Sequence, residues 1–453
     1  MNDNITILKK VFIAIVIGLG IFFLGLQLFN NEQSILLGII AFLVVLWTNE
    51  ALHLGVVSLL PIILFPAFGI IGTKETTINY AHPIIYLFLG GFLLAIAVEK
   101  TKLHIRIANK ILSIFPNTPR AMILSLAITA GLLSAILSNT TTTLLLITIA
   151  IFITKNEKLK LRFALAIAYG ASIGGILTPI GTPPNLILLG IMQSNNMEAI
   201  PFFQWMVMVA PLSIIMIVVM SFILSIGVKN ESVSRDVSIP ELTLEQKKVA
   251  FLLGALVLLL IVNAPIKPYW DGLGLGESGI LLGFGLILFM PPFSILKWEE
   301  DQSKIPYSIV MLFGAGFSIA TAFKATGLAS EIASYLVNMT HLPPLVLLFS
   351  IAFLITFSTE ITSNTALISI MLPVIYSVCE QTGINTTLFM MVATLCASYA
   401  FMLPIATPPN AIAMSSGVVH VKDMIRYGVI LNLLGIFFIV MIAEFFWSGL
   451  FFN

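Results

Sequence analysis

The chain has 453 residues, of which 58% are hydrophobic and only 9% are charged. A soluble globular domain carries roughly 25% charged residues, so this chain cannot cover a water-facing surface and is predicted to be an all-α polytopic membrane protein. The net charge of +1 gives no basis for nucleic-acid binding. Two cysteines, Cys379 and Cys396, suggest neither a disulfide framework nor a thiolate metal site.

The first half of the chain contains six predicted spans, one basic amphipathic arm and one long apolar block with polar residues at its middle. A span needs about 20 apolar residues. Basic residues flank both ends of the apolar block, which indicates a re-entrant hairpin. Lys9 and Lys10 precede the first span, which we interpret as a retained helix rather than a signal peptide. In chain order the elements are 11–29, 35–52, 54–71, 83–99, the arm 100–115, the hairpin 121–154, a span 162–192 broken by prolines, and 203–227.

The second half repeats this plan after a polar connector at 229–246. Three spans precede a second arm, a second hairpin, a second broken span and a last span, which gives about eleven spans and two hairpins in total. The elements are 247–263, 278–292, 307–326, the arm 328–340, the hairpin 344–379, the broken span 386–415, and 425–448.

The distribution of basic residues predicts the orientation. With the N-terminus in the cytoplasm, only Lys74, Lys267 and Lys324 of the 22 Lys and Arg residues fall outside, as the positive-inside rule requires. The C-terminus is then outside, and we expect a multi-pass protein of the plasma (inner) membrane. Five spans separate the hairpins, so the hairpins enter from opposite sides and the halves are predicted to be inverted repeats.

Two polar motifs recur at one offset. Ser138-Asn139-Thr140 and Ser363-Asn364-Thr365 are 225 residues apart (363 minus 138), as are Thr182-Pro183-Pro184-Asn185 and Thr407-Pro408-Pro409-Asn410. Alone, a Ser-Asn-Thr often joins membrane helices by hydrogen bonds, and a Pro-Pro often only kinks a helix. Both motifs duplicated in register favour an internal duplication with a binding site at the paired breaks.

The chemistry of these breaks suits a small anion together with a hard monovalent cation. A hairpin tip or a Pro-Pro break frees backbone carbonyls, which can coordinate sodium, and exposes helix N-termini, which can hold a carboxylate. Neither pair of motifs contains Lys, Arg or His. The charge of the anion would therefore be offset by co-bound cations and helix ends.

Glu360 is the acid closest to these motifs, three residues before Ser363. An intramembrane acid is a functional candidate, here a proton carrier. The alternative is a structural acid that is paired within the protein or reaches water. The chain contains no H-E-x-x-H arrangement and no apparent nucleophile–base pair, so we expect no enzyme and no catalytic residue.

The paired Ser-Asn-Thr tips, each followed by a Thr-Pro-Pro-Asn break, resemble the divalent anion:sodium symporter family, which includes the sodium/dicarboxylate cotransporters. Trp47-Thr48-Asn49-Glu50-Ala51 looks like that family's Trp-x-x-Glu-Ala segment, and Thr359-Glu360 before the second tip is similar too. The resemblance implies a homodimer in membrane lipid that works by an elevator mechanism, with co-transported sodium ions and no organic cofactor.

The same resemblance implies the domain organisation. The scaffold would comprise 1–115 and 247–342, and the transport domain that slides against it would comprise 116–228 and 343–453. The cytoplasmic connector 229–246 would join the two halves.

The resemblance also implies the site residues. The first sodium site would use Ser134, Ser138, Asn139 and Gly181, and the second would use Thr359, Thr362, Asn364 and Ala406. The predicted substrate contacts are Ser138, Asn139, Thr140, Thr182, Ser363, Asn364, Thr365, Thr407 and Pro408.

The leading hypothesis is therefore an importer that couples inward sodium movement to uptake of a C4-dicarboxylate such as succinate, malate or fumarate. Within the same class, symport of citrate or another tricarboxylate, symport of sulfate, dicarboxylate exchange and proton coupling through Glu360 stay open. From another class, an anion channel stays open, because re-entrant hairpins also line channels.

Overall fold

The structure is a computed structural model that describes residues 2–228, 241–266, 268–336 and 343–451. Helices make up 77% of it, and the described residues form no strand. Most of the predicted connector, Lys267 and residues 337–342, which include the end of the second predicted arm, lie outside the described residues.

Twelve α-helices form before the connector. They are α1 (Asn2–Gly25), α2 (Asn31–Asn49), α3 (Leu54–Val57), α4 (Leu60–Ala67), α5 (Thr73–Ile78), α6 (Pro83–Lys100), α7 (Leu103–Ile114), α8 (Pro119–Ser134), α9 (Asn139–Phe152), α10 (Glu157–Gly175), α11 (Pro183–Ser194) and α12 (Phe202–Ser225).

The helices that follow are α13 (Leu244–Asn263), α14 (Glu277–Ile287), α15 (Trp298–Asp301), α16 (Tyr307–Thr326), α17 (Leu328–Leu336), α18 (Pro344–Thr359), α19 (Asn364–Thr382), α20 (Thr386–Ser398), α21 (Pro408–Ser415), α22 (Val421–Ile442) and α23 (Ser448–Phe451). Short 3₁₀ turns cover Asn79–Ala81 and Gln302–Lys304, and a π-helical turn covers Ala443–Trp447.

Seven helices in the described part of the chain are long and apolar enough to cross a membrane, so the prediction of a helical membrane protein is confirmed. The predicted span at 54–71 is shorter than expected, because α3 and α4 together end at Ala67. Phe68 caps α4 and Gly69 follows at φ +71°, the left-handed conformation that commonly stops a helix. Two short helices, α5 and α15, were not predicted. α13 begins at Leu244, inside the predicted connector.

The offset of 225 residues holds for helix boundaries as well as for motifs. α8 and α18 correspond at both ends, and α9 with α19 and α11 with α21 correspond at their first residues. The short helices α5 and α15 also begin 225 residues apart, at Thr73 and Trp298. The duplication of secondary structure therefore extends further toward the N-terminus than the sequence similarity, which weakens before about residue 80.

Glycines allow the first hairpin to lie against the first broken helix. A Cβ atom on Gly174 of α10 would overlap the backbone of Gly131 on α8, and one on Gly170 would lie 2.7 Å from the Ala127 carbonyl oxygen. Only glycine permits backbones to approach this closely. The crossing brings the end of α8 to the break between α10 and α11, where a Cβ on Gly181 would lie 3.1 Å from the Ser134 carbonyl oxygen.

A buried ion pair joins α6 to α15 outside the candidate site. The Asp301 carboxylate is 2% exposed and lies 2.6 Å from Lys100 Nζ and 2.8 Å from Lys304 Nζ. It also accepts a hydrogen bond of 3.0 Å from the backbone N–H of Lys297. Burial alone would raise the pKa of Asp301, but the hydrogen bonds from the two lysines outweigh it and lower the pKa to about 2.

We expect Asp301→Asn to lower stability by about 2 kcal/mol, the scale of lost hydrogen bonds to a charged group. Folding depresses the Asp301 pKa below its usual ~3.9, so this stabilisation is present above about pH 4 and is lost as the pH falls toward 2. Thermal unfolding of the purified protein measures the change. Glu300→Gln is the matched control, because Glu300 contacts Lys100 from a half-exposed position and such pairs contribute little. Equal shifts for both variants would contradict the prediction.

Candidate functional site

The two hairpin tips and the two helix breaks line one cavity of about 220 Å³. That volume is below the ~300–1,000 Å³ of pockets for drug-sized ligands and suits a small ligand. All nine predicted substrate contacts lie in its wall: Ser138, Asn139, Thr140, Thr182, Ser363, Asn364, Thr365, Thr407 and Pro408. The structure therefore brings together stretches that are 225 residues apart in the chain.

Four helices begin at this cavity, namely α9, α11, α19 and α21. The residue before each of them has an extended backbone that turns the chain into the helix. Thr182 and Thr407 adopt nearly the same angles, with φ of −145° and −142°. A helix N-terminus carries roughly +0.5 elementary charge. Because none of the described residues in the wall is Lys, Arg or His, the positive potential comes from helix ends alone.

An apolar wall that sequence analysis missed closes the other side of the cavity. Gly91 of this wall approaches the first break closely, since a Cβ on it would lie 2.9 Å from Ile180 Cδ1. The match between Gly90-Gly91-Phe92 and Ala315-Gly316-Phe317 at the same offset was the available signal, but it carried no information about which residues face the ligand. The wall residues from α3, α6 and α16 are Leu54, Phe88, Gly91, Phe92, Ile309 and Leu312.

The predicted sodium residues divide into a wall layer and a layer behind it. Ser134 and Thr359 are fully buried behind the tips, outside the cavity wall. The Ser134 hydroxyl donates to Asn139 Oδ1, and the Thr359 hydroxyl lies 2.6 Å from Asn364 Oδ1. The same hydrogen bond thus orients the tip asparagine in both copies. The remaining wall members of the two sets are Ser138, Asn139, Gly181, Asn364 and Ala406.

Thr362 is the predicted sodium residue that faces elsewhere. Its hydroxyl lies 3.2 Å from the Thr48 hydroxyl on α2, and Thr362 is not part of the cavity wall. Its side chain therefore joins the second hairpin tip to α2, in the segment Trp47–Ala51. A sodium contact by Thr362 stays a prediction.

Glu360 is 2% exposed, and its carboxylate binds the backbone of the second break, between α20 and α21. Its Oε1 accepts from the backbone N–H of Met402 at 2.9 Å and from Asn432 Nδ2 at 2.6 Å, and its Oε2 accepts from the N–H of Leu403 at 2.9 Å. Asn432 Oδ1 in turn accepts from the N–H of Phe401. Three donors and no basic partner within the described contacts indicate a structural carboxylate.

An all-helical membrane protein with a small ligand cavity between paired helix breaks has the architecture of a secondary transporter. Comparison with known proteins agrees with this class. The citrate transporter family matches residues 42–378. The chain is 31% identical to the sodium-dependent dicarboxylate transporter SdcS of Staphylococcus saprophyticus, over 96% of this chain and 91% of that protein. It is 28% identical to the protein of the same name from Staphylococcus aureus, over 95% and 90%.

Two solved structures share the fold. The YdaH transporter of Alcanivorax borkumensis aligns with a TM-score of 0.60 over 83% of this chain and 88% of that chain, at 15% identity. MtrF of Neisseria gonorrhoeae aligns with a TM-score of 0.59 over 82% and 83%, at 14% identity. The chain belongs to the citrate transporter family, and the prediction of a divalent anion:sodium symporter of the sodium/dicarboxylate cotransporter type is confirmed.

Proposed function

We propose that the protein is a sodium-coupled importer of C4-dicarboxylates such as succinate, malate or fumarate. The observation that carries the proposal is the cavity into which four helix N-termini point without a basic side chain. Such a cavity favours a small anion, and the hydroxyls of its wall supply neutral donors for the carboxylates. The names of the two staphylococcal relatives support a dicarboxylate as cargo and sodium as the driving ion.

The two sodium ions would bind where each tip meets its break. The first would lie near Asn139 and Gly181, and the second near Asn364 and Ala406. The repeated hydrogen bond from Ser134 or Thr359 to the tip asparagine supports this pairing, because it directs the carboxamide oxygen of each copy in the same way. Bound cations would offset the negative charge of the dicarboxylate, so that neither is stable alone in the cavity.

We further propose that the two halves are inverted repeats and that the residues of the two hairpins and breaks move as one transport domain. The repeated helix boundaries support the duplication. One side of the cavity is formed by the tips and breaks, and the other by α3, α6 and α16 of the proposed scaffold. This arrangement suits an elevator in which the transport domain moves past a fixed scaffold. A homodimer, a plasma-membrane location, a cytoplasmic N-terminus and an outer C-terminus belong to the same proposal.

Uptake by the purified protein in proteoliposomes tests the function. We expect radiolabelled succinate to accumulate when sodium is imposed outside and to stay at background when potassium replaces it. Competition by malate, fumarate, citrate and sulfate then orders the anions, and citrate is included because of the family description. Succinate accumulation that ignores the sodium gradient would refute sodium coupling, and exchange only with preloaded dicarboxylate would favour an exchanger.

A further inference from the structure

Asn185 and Asn410 are the last residues of the two Thr-Pro-Pro-Asn motifs. Neither is among the predicted substrate or sodium contacts. Both side chains are fully buried, with 0% exposure. Asn185 Nδ2 lies 2.9 Å from the Thr178 carbonyl oxygen and 3.4 Å from that of Ile176. Each N–H bond of the Asn185 carboxamide is thus directed at a carbonyl of the unwound segment between α10 and α11.

The second copy repeats this contact. Asn410 Nδ2 lies 3.0 Å from the carbonyl oxygens of both Ala400 and Leu403, in the unwound segment between α20 and α21. Thr178 and Leu403 are equivalent positions at the offset of 225. The Oδ1 atoms of Asn185 and Asn410 are buried and have no hydrogen-bond partner in the described part of the protein. A buried orphan acceptor costs about 1–3 kcal/mol, so the useful part of each carboxamide is its donor end.

The Thr178 and Leu403 carbonyls, which Asn185 and Asn410 bind, also accept the hydrogen bond of the turn that leads to the cavity. The Thr178 oxygen accepts from the N–H of Gly181 at 3.3 Å, and the Leu403 oxygen accepts from the N–H of Ala406 at 3.3 Å. Gly181 and Ala406 line the cavity and are the predicted backbone ligands of the two cations. Each asparagine therefore holds the first residue of a short turn whose last residue faces a cation site.

We propose that Asn185 and Asn410 are positioning residues that set which backbone oxygens the two cation sites receive. Each side chain binds two backbone carbonyls, which are then not available to a cation. It also fixes the turn that presents Gly181 or Ala406 to the cation site. Because the number and spacing of oxygen ligands determine which alkali ion a site accepts, the pair also determines the preference for sodium over lithium. The inference rests on the proposed function and adds to it the residues that shape its ion sites.

Asn195 provides a matched comparison on the same helix. Its Nδ2 lies 2.9 Å from the Ile191 carbonyl oxygen, so it makes the same kind of bond at the opposite end of α11. It is not part of the cavity wall. A substitution at Asn195 removes a side-chain bond to a helix carbonyl without touching either break.

The experiment compares Asn185→Ala, Asn410→Ala and Asn195→Ala in the full chain. In proteoliposomes, we expect the sodium concentration for half-maximal succinate uptake to rise at least about tenfold in the first two variants, which equals ~1.4 kcal/mol. The KM for succinate at saturating sodium should change by less than about threefold, and the ratio of sodium-driven to lithium-driven uptake should fall. Asn195→Ala should match the wild-type protein in all three measurements.

A second measurement needs no transport. Sodium should raise the Tm of the purified wild-type protein. The same sodium concentration should raise the Tm of the Asn185 and Asn410 variants by less. Serine variants, which keep one donor, replace the alanine variants if those fail to fold. Unchanged sodium dependence in both assays, or equal losses of sodium and succinate affinity, would overturn the proposal. A wild-type protein that shows the sodium-dependent Tm but no sodium-driven uptake would refute the proposed function and leave the positioning role standing.

Discussion

We expect replacement of Gly181 by alanine to lower sodium-driven uptake at least about 100-fold, which corresponds to ~2.7 kcal/mol. A Cβ atom at this position would overlap the carbonyl oxygen of Gly175 and lie 3.1 Å from that of Ser134. Both neighbours are backbone atoms, which cannot rotate away as the end of a flexible side chain can. The break must therefore shift where the first sodium ion is proposed to bind. Initial uptake rates in proteoliposomes, normalised to the amount of inserted protein, measure the loss.

Gly283→Ala is the control for this change. Gly283 lies in α14, and a Cβ atom there would meet nothing within 4 Å, so this variant should keep uptake within about twofold of wild type and match or exceed its stability. Ala406 occupies the position equivalent to Gly181 in the second repeat, which means that the second break already accommodates a Cβ atom. A Gly181→Ala variant that folds and transports at the wild-type rate would contradict the tight approach of Gly175 to Gly181.

Local signals in the sequence predicted much of this fold and the polar half of the cavity wall. The prolines at 183 and 408 fixed the first residues of α11 and α21, because proline fits the first turn of a helix and not its middle. The two Ser-Asn-Thr stretches marked the hairpin tips, and α9 and α19 begin at their asparagines, Asn139 and Asn364. The repeated offset then indicated that these four helix starts belong to one site, although no single motif could do so.

The parts that were missed depend on contacts between distant residues. Phe88 and Leu312 are ordinary apolar residues of helices that are apolar throughout, and hydropathy cannot tell which of their faces meets a ligand. The helices α5 and α15 are too short to give a periodic signal. The role of Glu360 needed the positions of Met402, Leu403 and Asn432, which follow it by about 40 to 70 residues.

The two breaks are equivalent in backbone and different in chemistry. At the first break, the Thr178 hydroxyl donates to the Ala135 carbonyl oxygen at 2.5 Å. At the second, the equivalents of these residues are Leu403 and Glu360, and the bond runs from the Leu403 N–H to the Glu360 carboxylate. A hydrogen bond to a backbone carbonyl at the first break is thus replaced by a hydrogen bond to a side-chain carboxylate at the second.

Replacing Glu360 with glutamine separates a structural carboxylate from a proton carrier. The Glu360 carboxylate accepts hydrogen bonds from Met402, Leu403 and Asn432. In a glutamine, the NH₂ group would replace one of the two oxygens and would face at least one of these N–H donors. An unpaired buried donor costs about 1–3 kcal/mol, so we expect uptake to fall roughly 10- to 100-fold. The loss should be the same at each pH between about 6 and 8, leaving the shape of the wild-type pH profile unchanged because no titration is removed.

Succinate uptake across that pH range measures both quantities, and Glu380→Gln is the control because Glu380 is an exposed acid at the end of α19. Asn432→Ala should reproduce part of the Glu360→Gln defect, since it removes one donor to Oε1 and the acceptor of the Phe401 N–H. A proton carrier behaves differently: Glu360→Gln would then flatten the pH profile, and Asn432→Ala, which removes a donor to the titrating carboxylate, would shift the profile along the pH axis without flattening it. That pattern would show that the carboxylate titrates during the cycle, and the tie between the second hairpin and the second break would have to open for the proton to reach it.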